Sequence, residues 1–176
     1  MRLSYSHRAI LVTVIAAGVL GGCSDTQAGT PRATGISATT PPSSSSSPPD
    51  VFNGMNACDV LNQLLASQSF EPGKNISQRN ECVASKIRYG SASIALDPAQ
   101  GLAEFRKTDP NASELTINGR PALEAVESFG GCAIALEVSS TARAVAGIAL
   151  EDPRNDSCPD SRRLAEKLEP LLPKVQ

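Results

Sequence analysis

The sequence predicts an α+β domain: an antiparallel sheet with helices packed on one face, held by two disulfides. Apolar residues recur at helical spacing in three stretches and alternate in the segments between them, in the order helix, strands, helix, hairpins, helix. Four cysteines, Cys58, Cys82, Cys132 and Cys158, lie within this patterned region. A fifth, Cys23, ends an apolar N-terminal run that reads as an export signal, and in an exported chain an even cysteine count reads as bridges.

Three segments follow from composition. Arg2, His7 and Arg8 precede the twelve-residue uncharged run 9–20 (AILVTVIAAGVL). A membrane-spanning helix needs about 20 residues, so the run has signal-peptide length, and residues 1–22 are expected to be removed. Leu20, Gly21, Gly22 and Cys23 then resemble the lipobox of bacterial lipoproteins. That resemblance implies a diacylglycerol thioether on Cys23, cleavage before it, and a further acyl chain such as palmitate on the new N-terminus. Two or three chains, at about 0.8 kcal/mol per buried CH₂, make a stable anchor. Residues 23–50 are rich in Ser, Thr and Pro with a single basic residue, Arg32, and bury too little apolar surface to offset backbone ordering. They read as a tether spanning roughly 30 Å as a flexible coil. Residues 51–176 remain as one domain, long enough to bury a single core.

Within the domain, Val60, Leu61, Leu64 and Leu65 form a helical stripe with Asn56 placed to cap it. Residues 82–96 read as two strands broken near Gly90, with Ala92, Ile94 and Leu96 facing inward. Asp97-Pro98 resembles a helix start leading through Leu102 and Phe105 to Lys107. Leu115 and Ile117, the Asn118-Gly119 turn and residues 122–126 form a hairpin in which Pro121 demands an edge or a bulge. Residues 132–138 and 143–150 alternate as a second hairpin, and centring its turn between Ser140 and Thr141 sets Cys132 opposite Ala149. A final helix from Pro159 places Leu164, Leu168, Leu171 and Leu172 on one face, with Arg162 and Arg163 on the other.

A bridge needs Cα atoms within about 7 Å, and the loop after the second hairpin brings Cys158 back toward Cys132. Cys132–Cys158 with Cys58–Cys82 is therefore preferred, while Cys58–Cys158 with Cys82–Cys132 stays open. No cysteine pair has the close spacing of a zinc ribbon, so no metal is expected.

Several features share one order. A lipobox is followed by a Ser/Pro tether, a Cys before a Leu-rich helix, and a Cys opening a strand. Then come the segment 118–122 (Asn-Gly-Arg-Pro-Ala), a third Cys in a strand, and a fourth before a terminal Leu-rich helix. This resembles the actinobacterial lipoproteins grouped as domain of unknown function 3558, although Ala84 stands where that pattern has an aromatic, commonly Trp. The resemblance implies an exported, lipid-anchored, disulfide-bonded domain and brings no catalytic residues.

Composition removes several functions. The single His, His7, lies in the segment expected to be removed, which excludes His-based triads, His metal sites and His pH switches. Loss of Arg2 and Arg8 leaves 14 basic against 18 acidic side chains, and the chain has no Trp. Nucleic acid is therefore not an expected partner.

Weaker local signals each have a plain reading. Glu151, Asp152, Asp156 and Asp160 lack the ligand spacing of a calcium loop and read as a solvated loop. Glu124 and Glu127 would serve glycoside chemistry only if they shared a cleft. Arg106, Lys107 and Arg120 suggest a small basic patch or an ordinary solvated face. Gly130 and Gly131 serve a turn.

The expected function is that of an exported, lipid-anchored protein on the outer face of the cell membrane. It would be non-enzymatic and without cofactor, an interaction module for a protein or cell-envelope partner. The alternative is a small-molecule or lipid-binding carrier with an apolar pocket. An enzyme built on carboxylates, Lys, Ser or Tyr89 has no constellation of residues behind it.

Overall fold

The computed structural model describes residues 50–174; the expected signal segment, Cys23 and the tether up to residue 49 lie outside the described residues. Helix α1 (Ala57–Leu64) begins where the Asn56 side-chain oxygen accepts the N–H groups of Cys58 at 2.8 Å and Asp59 at 3.2 Å. Strands β1 (Lys74–Asn75), β2 (Glu81–Lys86) and β3 (Gly90–Asp97) follow. Helix α2 (Leu102–Thr108) leads to β4 (Ser113–Ile117), β5 (Arg120–Val126), β6 (Gly131–Ser139) and β7 (Ala142–Leu150). Helix α3 (Cys158–Leu168) runs into a 3-10 turn, Glu169–Leu171.

All neighbouring strands are antiparallel, in the order β1-β2-β3-β7-β6-β5-β4. Alternation puts Ala92, Ile94 and Leu96 of β3, Ala144, Ala146 and Ile148 of β7, and Cys132, Ile134 and Leu136 of β6 on one face. There they meet Leu61 of α1 and Leu164, Ala165 and Leu168 of α3. The bridges are Cys58–Cys82 and Cys132–Cys158, each with Cα atoms 5.0 Å apart. The preferred pairing therefore holds. Cys58–Cys82 pins α1 to β2, and Cys132–Cys158 pins the start of α3 to β6.

The α+β antiparallel sheet with two disulfides is as expected, but the helices do not all share one face. Chain topology gives the reason. To pass from β3 to β4 at the far edge, the chain must cross β7, β6 and β5, and α1 and α3 already occupy one side. Helix α2 makes that crossing on the other side, where Phe105 packs on Leu123, Ala125, Ala133 and Ala135. Its start also differs from expectation. Asp97 remains in β3 opposite Arg143, and its carboxylate accepts the Ala99 N–H in a local turn. The helix begins only after Gly101, whose N–H donates to the Glu104 carboxylate at 3.0 Å. Gly101 lies so close to the β6–β7 turn that an added Cβ would collide with the Ser140 carbonyl oxygen.

Two further corrections concern register and helix end, and the choice at Pro121 between an edge and a bulge is resolved. Cys132 lies opposite Ile148, not Ala149, because the ladder shifts between Glu137 and Ser139. That irregularity adds one residue to β6 and keeps both Leu136 and Val138 buried. Pro121 is not on an edge strand, since β5 pairs with both β4 and β6. It lies one step beyond the Ala122↔Leu136 pair, beside that same irregularity. Leu171 does not continue the apolar stripe: Pro170 tightens the chain into the 3-10 turn, leaving Leu171 exposed while Leu172 returns to the core.

Ser161 of α3 is fully buried, and its hydroxyl bonds both partners of one cross-strand pair. It accepts the Ile148 N–H at 3.1 Å and donates to the Cys132 carbonyl at 2.7 Å. Substituting Ser161→Ala leaves those groups unpaired away from water and should cost about 1–3 kcal/mol, read as a lower urea midpoint. Complete reduction of the bridges should lower the melting temperature further, since loss of one bridge costs about 2–5 kcal/mol in small domains. An unchanged melt with reduction verified by mass would contradict a structural role for them.

Candidate functional site

At the β4 edge, the free side of the sheet and α2 enclose an open groove of about 650 Å³. Leu102 and Arg106 of α2, Glu114 and Thr116 of β4, and Pro121 and Leu123 of β5 line it. Sequence places these side chains directly. Glu114 is opposite Leu123 and Thr116 opposite Pro121 in the β4–β5 register, so all four project to the α2 side. Leu102, Pro121 and Leu123 make an apolar floor, and an Arg106–Glu114 ion pair of 2.8 Å spans the groove. Both of its side chains are well exposed, so the pair contributes less than about 1 kcal/mol and opens easily.

The edge also offers main-chain groups. Asn118 and Gly119 have φ of 50° and 87°, the left-handed pair of a type I′ turn, which makes Ile117 and Arg120 its hydrogen-bonded closing pair. Counting back, Ser113, Leu115 and Ile117 turn their N–H and C=O groups toward β5. Glu114 and Thr116 turn theirs outward, where no described strand follows. Alternate residues of β4 thus present both a groove and a ladder to an extended chain.

The remaining candidate residues divide clearly. Both sulfurs of Cys132 and Cys158 are bonded, so the grouping of Glu124 with these two cysteines offers no thiolate to a metal. Glu124 itself is bonded by Arg162 through two contacts of 2.6 Å. Glu127 lies past the end of β5, its side chain packed beside Gly131. Of the acidic residues near Cys158, Asp152 holds Arg154, Asp156 accepts the Cys158 N–H, and Asp160 holds Tyr89 and Arg163. The three-residue basic patch does not form. Arg106 pairs with Glu114 and Lys107 with Glu104, while Arg120 is buried against Glu169 at 3.0 Å.

Arg120 has a specific task. Pro121 cannot donate to β6, and the register would set it opposite Glu137. Arg120 Nη1 supplies that donor, reaching the Glu137 carbonyl at 2.7 Å, while Nη2 bonds the Pro173 carbonyl at 2.9 Å. Sequence reasoning missed this role; the missing N–H of Pro121 was the one local sign that a substitute donor would be needed there.

Fold and site together define a small disulfide-bonded α+β protein with an open groove at a sheet edge. A family described as protein of unknown function (DUF3558) matches residues 18–171, and the chain belongs to that family. No curated protein and no solved structure matches it.

Glu127 gives the groove's sheet a pH dependence. Partial loss of hydration beside Gly131, then the charge of Asp109, raises the carboxyl of this still exposed side chain above the ordinary carboxylate value. The folded state therefore holds this proton more tightly than the unfolded chain. Its stabilising contribution is present below the ordinary carboxylate value and is lost as pH rises through the raised one. Replacing Glu127→Gln should raise the melting temperature near pH 7 and leave it close to wild type in acid, as thermal melts at the two pH values will report. A lower melting temperature near pH 7 would mean that the ionised carboxylate makes a favourable contact.

Proposed function

We propose that this chain is an exported, lipid-anchored protein of the outer face of the cell membrane, acting without catalysis as an interaction module. Its partner is a protein that presents an extended segment. The groove beside β4 carries this reading: apolar side chains enter between α2 and the sheet while Glu114 and Thr116 add main-chain hydrogen bonds. Two bridges support an oxidising compartment. Leu20, Gly21, Gly22 and Cys23 directly follow an uncharged run of signal-peptide length, the arrangement of a lipobox. A tether of this kind raises the local concentration of the module near the membrane without fixing its orientation.

Two variants test the two halves. Cys23→Ala should move the chain from the membrane to the soluble fraction, and continued membrane retention would refute the anchor. Thr116→Pro removes an outward N–H without touching the β4–β5 ladder, and proline is tolerated at such an edge position. A photo-crosslinker at Ala103 in the groove should give a discrete adduct in cells that Thr116→Pro abolishes at an unchanged melting temperature. Persistence of that adduct would exclude strand addition at β4.

A further inference from the structure

A second cleft lies on the opposite face of the sheet, away from the groove. It opens between the outer side of α3, the β2–β3 turn and the segment after α1, with a volume of about 250 Å³. Asp160, Arg163 and Lys167 fall on one stripe of α3, Lys86 and Tyr89 come from the turn, and Phe70 completes the wall. Phe70 and Tyr89 meet edge to face, centroids 5.5 Å apart at 80°. The Lys86 ammonium stands 5.5 Å from the first ring centroid and 5.4 Å from the second. Two aromatic rings thus flank this cation.

The charge count is unusual for a chain of formal net charge −2. Three cations, Lys86, Arg163 and Lys167, line the cleft with a single carboxylate, Asp160. That carboxylate is already engaged: Oδ2 accepts the Tyr89 hydroxyl at 2.8 Å and Oδ1 accepts Arg163. Among the described residues, Lys86 and Lys167 have no carboxylate within ion-pair distance. Burial and the bond to Asp160 push the Tyr89 phenol up to about 12, so it stays neutral and adds no second negative charge. The cleft offers an excess of N–H donors, a positive potential and an aromatic wall.

We propose that this cleft is a binding site for a phosphate group, held by Lys86, Arg163 and Lys167, with Phe70 and Tyr89 packing on whatever the phosphate carries. The phosphate belongs either to a small soluble phosphate ester or to a phospholipid headgroup. Tetrahedral oxyanions suit several cationic donors lining one cleft, here Lys86 at the end of β2 and Arg163 and Lys167 on α3, and charge-assisted bonds to them are the strong class. Contact of the Lys86 ammonium with two rings lowers the ordering cost of binding.

The chain has no Trp and two Tyr, Tyr5 and Tyr89, and Tyr5 lies in the segment expected to be removed, so the processed chain, or an unprocessed one carrying Tyr5→Phe, has one emitter, located in the cleft. Its emission should change saturably on titration with inorganic phosphate or with phosphatidic-acid-containing phosphatidylcholine vesicles. Potassium chloride at matched ionic strength and pure phosphatidylcholine vesicles are the controls. Lys86→Gln and Lys167→Gln, each checked for an unchanged melt, should weaken the response about tenfold. A response to inorganic phosphate assigns a soluble phosphate ligand. A response confined to the phosphatidic acid vesicles assigns a lipid headgroup. No response beyond the controls, or one that both lysine variants retain in full, would overturn the site.

Discussion

The fastening of α3 to the middle of the sheet is the constraint on which the rest of the domain depends. The Cys132–Cys158 bridge, the Ser161 hydroxyl across the Cys132↔Ile148 pair, and the Ser157 hydroxyl on the Gly130 carbonyl all act within one turn of the helix. With its start fixed at β6 and β7, α3 can reach outward in both directions. Asp160 holds Tyr89 at the β2–β3 turn, and Arg162 holds Glu124 of β5. Farther along, the Glu166 carbonyl accepts from Asn118, and Glu169 beyond the helix end pairs with Arg120. Most of these are polar contacts of small individual value, and their cooperation comes from the helix being covalently registered on the sheet.

Composition explains why such fastening is needed. Only 3% of the chain is aromatic, and on the sheet's inner face Ala84, Ala92, Ala122, Ala142, Ala144 and Ala146 sit among Ile94, Leu96, Ile134, Leu136 and Ile148. Small side chains let the helices lie close to the sheet, but each contributes little apolar area, and stabilisation scales at about 25 cal/mol per Å² buried. The opposite face is covered by a single short helix around Phe105, which Arg143 overlies at 5.3 Å from its centroid. Cross-links that restrict the unfolded chain make up part of what a thin core cannot supply.

Local features were the ones legible in the sequence. Asn56 caps α1, Asn118-Gly119 turns the β4–β5 hairpin, and the strands flanking Gly90 carry their apolar residues inward. The disulfide pairing followed from hairpin proximity, which survives a one-residue error in register; the register itself did not, because an added strand residue leaves no mark in an apolar alternation. Asp97-Pro98 imitates a helix start although β3 continues through Asp97, since the same turn chemistry serves a strand that must bend. The groove and the cationic cleft were not legible. Their residues come from distant segments, and only the spacing of Arg163 and Lys167 on α3 lies within reach of a local pattern.

The first described residues form a stapled entrance. Asp50 accepts the N–H groups of Phe52 and Gly54, Asn80 bonds both the Ala57 N–H and the Met55 carbonyl, and Cys58 is joined to Cys82. This sets a load path. Tension arriving from upstream of Asp50 can draw out the chain only as far as Cys58, where it passes through sulfur into β2. The loop closed by that bond, with a sequence separation of 24 and α1 within it, is bypassed and carries no force. A domain pulled by its leading end would therefore keep α1 seated until the sheet itself yields.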